Sequence, residues 1–277
     1  MAEIRDREGY WYRLALGVED KAKRIAEAMP KPEKTHMILD VGCADGSLTD
    51  AIADRYPNSR VVGIDSDLPN IEQAMKNNHR ANVEYMTSDI KDFGSNVFDV
   101  VIMSSLLHEV YSRAEDGRTA VVQTILEARR VLKTGGVLVI RDMIMPAHSE
   151  TDNWLATKAS KKIITVSSPF WEEVKDFSRR YGKPNTPVRL NHFLLKYFYK
   201  ENWEHELREN YTAISREWLL AIMKPLNMDV VSNYNYLSPH LKERWMKDFD
   251  LNECDMSFMI SSGIYSFVKA EEWGETL

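Results

Sequence analysis

An open, mostly parallel β-sheet covered by helices on both faces is the fold this sequence predicts, and three observations predict it. Short apolar runs alternate with amphipathic helical segments through the first half of the chain. The first run, Met37–Val41, stops at a glycine-rich turn, Gly42-Cys43-Ala44-Asp45-Gly46. The second, Val61-Val62-Gly63-Ile64-Asp65, ends on a carboxylate 23 residues after Gly42. Such alternation builds parallel sheets, and ligands of these sheets lie across the carboxyl ends of the strands.

Taken in order, residues 3–29 read as one helix, with Tyr10, Leu14, Leu16, Ile25 and Ala28 on apolar faces, stopped by Pro30 and Pro32. Tyr10, Trp11 and Tyr12 are candidates for a cover over a ligand, or for plain packing. After the first strand, Leu48, Ile52 and Tyr56 form one buried stripe. A helix around 69–77 follows the second strand and turns Ile71, Ala74 and Met75 to one face. Asn82–Ile90 gives a third strand, and Phe98–Ser105 a fourth, apolar enough to be covered on both sides. Val121, Ile125, Ala128 and Leu132 stripe the helix before a fifth strand, Val137–Ile140. A helix near 215–226, with Trp218, Leu219, Ile222, Met223 and Leu226 facing inward, precedes two last strand-like runs, 228–237 and 257–269, read as antiparallel. Residues 143–212 are too long for a plain connection and are rich in aromatic residues. A second excursion, 238–256, carries Trp245 and Phe249.

Composition is that of an ordinary globular chain: 277 residues, 44% hydrophobic and 28% charged. No apolar run approaches the roughly 18–20 residues that span a bilayer, so no membrane partner is expected. The polar N-terminus does not read as a secretory signal. Two cysteines, Cys43 and Cys254, are expected to be reduced thiols in a cytoplasmic compartment. Neither Cys-x-x-Cys nor His-Glu-x-x-His spacing occurs, so no metal site is read from spacing. Net charge is −6, yet residues 158–208 hold eleven Lys/Arg against six Asp/Glu. That basic segment suits an anionic partner, or else its charges pair with one another.

The turn also discriminates between nucleotides. Asp45 stands where a dinucleotide pyrophosphate would lie and would repel it, whereas a cationic amino-acid cofactor would not be repelled. Asp40-x-Gly42-x-Ala44-x-Gly46 resembles motif I of the class I S-adenosylmethionine-dependent methyltransferases, with alanine at the middle glycine. Four further landmarks follow in the family's order: Asp65, the strand ending at Asp89-Ile90, the strand ending at Ser104, and the Gly135-Gly136 turn before the fifth strand. The resemblance spans roughly residues 36–142. It implies a Rossmann-like seven-stranded sheet, mostly parallel, with a helical insertion after strand 5. It implies S-adenosyl-L-methionine as cofactor, held by Asp40, Gly42, Cys43, Ala44, Gly46, Asp65, Ser66, Asp89, Ile90 and Ser104. Asp65 would take the ribose and Asp89 the adenine. The expected organisation is one domain over 1–277: a helical cover (1–32), the cofactor-binding core (33–142), a substrate-covering insertion (143–212), and the last helix with strands 6 and 7 (213–277).

Methyl transfer mainly requires the acceptor to be held in line with the methyl group, and a hydroxyl acceptor gains from a base. His108 follows strand 4 and resembles the histidine of small-molecule O-methyltransferases, with Glu109 in the place of its acidic partner. The residues leave two roles open for it, general base or pocket-shaping group. Asp142 ends strand 5 and is a third candidate for catalysis, or a cap or ion pair for Arg141. His192 and His205 lie in the insertion, as site residues or as packing. No Asn/Asp-Pro-Pro-Tyr sequence follows strand 4, which argues against amino methylation by that route. The expected activity is therefore methylation of a small or medium hydroxylated acceptor, with or without phosphate. The alternatives are an RNA or tRNA methyltransferase, using Lys158, Lys161, Lys162, Arg179, Arg180 and Lys183 on phosphates, and a non-catalytic cofactor-binding partner subunit. The sequence leaves oligomeric state open.

Overall fold

A computed structural model describes residues 6–146, 151, 153–165 and 168–271. Seven strands form one sheet in the order β3-β2-β1-β4-β5-β7-β6: β1 Met37–Val41, β2 Arg60–Asp65, β3 Val83–Thr87, β4 Phe98–Ser104, β5 Leu132–Asp142, β6 Met228–Tyr236 and β7 Ser262–Lys269. The first five are parallel; β7 runs antiparallel to both β5 and β6. β6 and β7 are antiparallel to each other, as expected, and β7 alone runs against the parallel strands.

Successive residues of a strand face opposite sides of the sheet, and this divides the core in two. Leu39, Val62, Val101 and Leu138 pack on helices α6 (Gly117–Val131) and α11 (Arg216–Met223) through Val121, Ile125, Leu219 and Met223. Ile38, Val61, Val100 and Val139 pack on α2 (Val18–Glu27) and α3 (Ser47–Arg55) through Ala22, Ile25, Ala51 and Ile52. The single N-terminal helix expected from sequence is broken. α1 (Arg7–Ala15) and α2 are separated by Gly17 at φ 68°, a left-handed conformation that glycine adopts freely. Residues 3–5 of that expectation lie outside the described residues. On α4 (Leu68–Asn77) Ile71 and Ala74 are buried, whereas Met75 is 57% exposed and faces solvent. Leu132 is buried but opens β5 rather than ending α6.

The stretch after β5 carries α7 (Trp154–Ile163), α8 (Trp171–Tyr181), α9 (Pro187–Leu194) and the single turn α10 (Trp203–Glu206). They share a separate aromatic core, in which Phe177, Phe193 and Tyr197 meet Trp245 and Phe249 of α12 (Pro239–Phe249). The two excursions thus form one layer over the carboxyl ends of the strands.

Candidate active site

Strands β2, β3, β4 and β5 end on Asp65, Thr87, Ser104 and Asp142, along the edge where the strand order switches between β1 and β4. Gly42 leaves β1 at φ 74°, and a Cβ there would come within 2.9 Å of Leu106. Gly46 sits at φ 77°, where a Cβ would lie 2.5 Å from the Tyr85 hydroxyl. Both positions therefore require glycine. Ala44 takes the same left-handed region at φ 48°. Its backbone N–H donates to Asp65 Oδ2 at 3.0 Å, while Asp67 N–H donates to Oδ1 at 2.8 Å. Burial raises the Asp65 pKa against these bonds.

A cavity of about 1000 Å³ runs along this edge. Gly42, Ala44, Asp65, Ser66, Asp89, Ile90 and Ser104 line one end of it. Asp40, Cys43 and Gly46 are not among the lining residues. Asp40 is buried and accepts from Thr49 Oγ1 at 2.6 Å. The Cys43 thiol is buried, which pushes its pKa far up and leaves it the role of a small turn residue. Asp45 folds back on Ser47 at 2.8 Å instead of facing the cavity, so the charge argument drawn from its position is corrected to an indirect one. α1 lies across this end. Tyr10 lines the cavity and Trp11 Nε1 donates to Asn70 at 3.1 Å, whereas Tyr12 is 68% exposed and covers nothing.

The other end holds ionisable groups. His108, on α5 (Leu107–Arg113), is buried, with Nδ1 2.8 Å from Asp142 Oδ1 and Nε2 3.7 Å from Glu209. Burial would lower its pKa, but Asp142 and then Glu209 hold it up to about 10. Asp142 is correspondingly held low despite its burial. Glu109 does not orient the ring, contrary to its expected place: it pairs with Arg113 at 2.5 Å, and burial beside Glu209 raises its pKa. Nor does Asp142 pair with Arg141, whose guanidinium bonds the hydroxyls of Tyr236, Ser105 and Ser262. Glu206, Glu209 and Tyr211 also line the cavity and escaped the sequence reading. A pair of glutamates three apart beside His205, inside an aromatic stretch, was the available signal. His205 reaches the cavity; His192 packs edge-on against Phe177 and Tyr181, outside it.

The basic segment is partly neutralised by the chain itself. Lys158 and Lys162 pair with buried Asp255 at 3.0 and 2.9 Å, and Arg179 pairs with Asp176. Lys196 is buried and donates to two backbone carbonyls, of Glu206 and Glu209. Among the described residues no helix is long and apolar enough to cross a membrane.

Residues 39–140 match the family model described as a methyltransferase domain. Over these residues the chain is similar to methyltransferases. It is 30% identical over 118 residues to an uncharacterised methyltransferase of Mycobacterium tuberculosis, covering 42% of this chain and 55% of that one. It is 29% identical over 136 residues to a trans-aconitate 2-methyltransferase of Azoarcus, covering 46% and 49%. The chain thus spans about half the length of such methyltransferase relatives. Over nearly its whole length it shares its fold with a chain from the complex of the Haloferax volcanii Trm112 methyltransferase activator with a methyltransferase. The TM-score is 0.61 at 16% identity, with 98% and 99% of the two chains covered.

Proposed function

We propose that the chain transfers the methyl group of S-adenosyl-L-methionine to a hydroxyl of a small or medium acceptor, with or without a phosphate. The observation that carries this reading is the continuous cavity, which joins a nucleoside-type edge to a buried cluster of proton-handling groups. The residues fit the cofactor. An ionised carboxylate has about four acceptor sites; Asp65 uses two on backbone N–H groups and the Asn70 side chain also bonds it, so acceptor capacity remains for a ribose hydroxyl. Asp89 and Ile90 flank the place for adenine. Lys21, which lines the cavity beside the glycine turn, is the cation for the methionine carboxylate; burial lowers its pKa to about 8.

The cofactor supplies an electrophilic methyl group; the chain must orient the acceptor and handle one proton. An imidazolium accepts no proton, so His108, held charged between Asp142 and Glu209, acts as a positioning group in the free protein. Glu109 faces the cavity with a raised proton affinity and is the carboxylate placed to take the hydroxyl proton.

The test is incubation with methyl-labelled cofactor and fractionated cell extract, followed by sorting of the label into metabolites, protein or RNA. Label in a hydroxylated metabolite is expected; label confined to RNA or protein overturns the acceptor class. Asp65→Ala should weaken cofactor binding by about 1.5–3 kcal/mol, read by calorimetry. An unchanged affinity would remove the cofactor assignment.

A further inference from the structure

We propose that His108, Glu109 and Glu209 bind one divalent transition-metal ion at the acceptor end of the cavity. Binding of the ion is independent of the methyl-transfer reading; only its role there rests on that reading.

One atom from each of the three side chains, an imidazole nitrogen and two carboxylate oxygens, lies within 4.8 Å of the other two. Ligands at about 2.0–2.2 Å from one ion stand roughly 3–4 Å apart, so a small closure of the side chains completes the set. The surroundings are those of a metal ligand sphere. Metal-bound histidines nearly always give their second ring nitrogen to a carboxylate, which fixes the tautomer and turns the other nitrogen toward the ion. His108 Nδ1 has that partner in Asp142 at 2.8 Å, and Nε2 faces Glu209 at 3.7 Å, beyond hydrogen-bond reach.

An independent observation points the same way. The Glu209 side chain is only 8% exposed, and its Oε1 is buried yet accepts no hydrogen bond. The nitrogens that pair with it are His205 Nε2 at 3.3 Å and Arg113 Nη2 at 3.8 Å, neither aligned to donate a hydrogen bond. A buried carboxylate oxygen whose partners are too distant or misaligned to donate well is only partly compensated, and a cation in the cluster would complete that compensation. Arg113, whose side chain is 47% exposed, is the group an ion would displace from Glu109. One imidazole with two carboxylates, and His205 as an adjoining donor, suits Mn2+, Fe2+ or Zn2+. If methyl transfer to a hydroxyl is correct, the ion would lower the acceptor's pKa so that its proton leaves to solvent, and Glu109, then a ligand, would serve as the base only in the ion-free protein.

The experiment uses the untagged full-length chain, stripped with chelator and titrated with Mn2+ and with Zn2+ by calorimetry. One ion per chain at micromolar affinity is expected. Glu209→Gln and Glu109→Gln should weaken it at least tenfold, Asp142→Asn by about 10–100-fold, and the exposed His79→Ala not at all. Circular dichroism checks that each variant folds. If the buried variants unfold, pulsed EPR of the Mn2+-loaded wild type decides, because a ligating imidazole gives a directly coordinated nitrogen coupling. Absence of that coupling, absence of a stoichiometric ion, or an affinity indifferent to Glu209→Gln overturns the site. An ion bound without methylated product leaves the site standing and counts against the methyl-transfer reading alone.

Discussion

Asp40 illustrates how a single residue of the glycine-rich edge trades stability for position. It lies one residue before the end of β1, 2% exposed, with one hydrogen bond from Thr49, and burial raises its pKa from 3.8 to about 6, with Asp65 adding to the rise. A carboxyl whose folded pKa lies above its unfolded value gives its full stability below the unfolded pKa. That stability is lost as pH rises through the folded value. At pH 7.5 the chain therefore carries the penalty of a charged buried group, on the order of 3 kcal/mol at 1.36 kcal/mol per pH unit. Asp40→Asn keeps an acceptor for Thr49 and removes the charge. Urea unfolding should show the variant more stable than wild type at pH 7.5, with the gain shrinking toward pH 5. A gain equal at both pH values would mean that charge burial is not the cause.

At the scale of elements, α1 differs from every helix around the sheet. None of its residues is buried, so polar contacts hold it rather than core packing. Arg7 pairs with Asp67 at 2.7 Å, Trp11 donates to Asn70, and Asp6 exchanges backbone bonds with the Asn202 side chain. Both Asp67 and Asn70 stand beside Asp65, at the nucleoside end of the cavity. A strap held this way opens at low cost without unfolding the core. Trp11→Phe removes one donor, worth about 1 kcal/mol, and should speed cofactor dissociation several-fold in stopped-flow measurements while leaving the melting temperature nearly unchanged. An unaltered dissociation rate would show that α1 does not gate this end. The break at Gly17 aims α1 across the cavity while α2 packs on the sheet.

For the whole molecule, two cores of different origin meet at the cavity. The sheet core positions the edge proposed for the cofactor, and the aromatic core of α7–α9 and α12 forms the other wall. Trp245 is completely buried in the latter and donates to the Leu194 carbonyl at 3.0 Å. Trp245→Ala should cost about 3–5 kcal/mol, visible as an early thermal transition, with cofactor affinity measured below that transition largely kept. Loss of both together would show that the layers do not melt separately. Charge pairing within the same layer bears on partners. Lys158, Lys162 and Arg179, half of the six cations named for RNA phosphates, already hold carboxylates of this chain, which reduces the counterion release available on RNA. Retention of the chain on RNA should accordingly be weak and change little between 50 and 200 mM salt; a steep decline would restore the RNA reading.

The sequence by itself determined the strand–helix alternation, the glycine turn and the acidic strand end at Asp65, because periodicity and backbone restrictions act over a few neighbouring residues. It also pointed to His108, as a residue just beyond a strand. It could not reveal that Asp142, rather than adjacent Glu109, orients that ring, since β4 and β5 are brought side by side only by the sheet. Gly17 was visible, but whether the helix continued through it depended on where α2 packs. The meeting of Glu209 with His108 and Glu109 was decided by tertiary structure alone. It requires the covering layer to fold down over the strand ends, and no local pattern encodes which of its many charged groups then turns inward. The same holds for the basic segment, whose sign is written in the sequence while its pairing is set by packing.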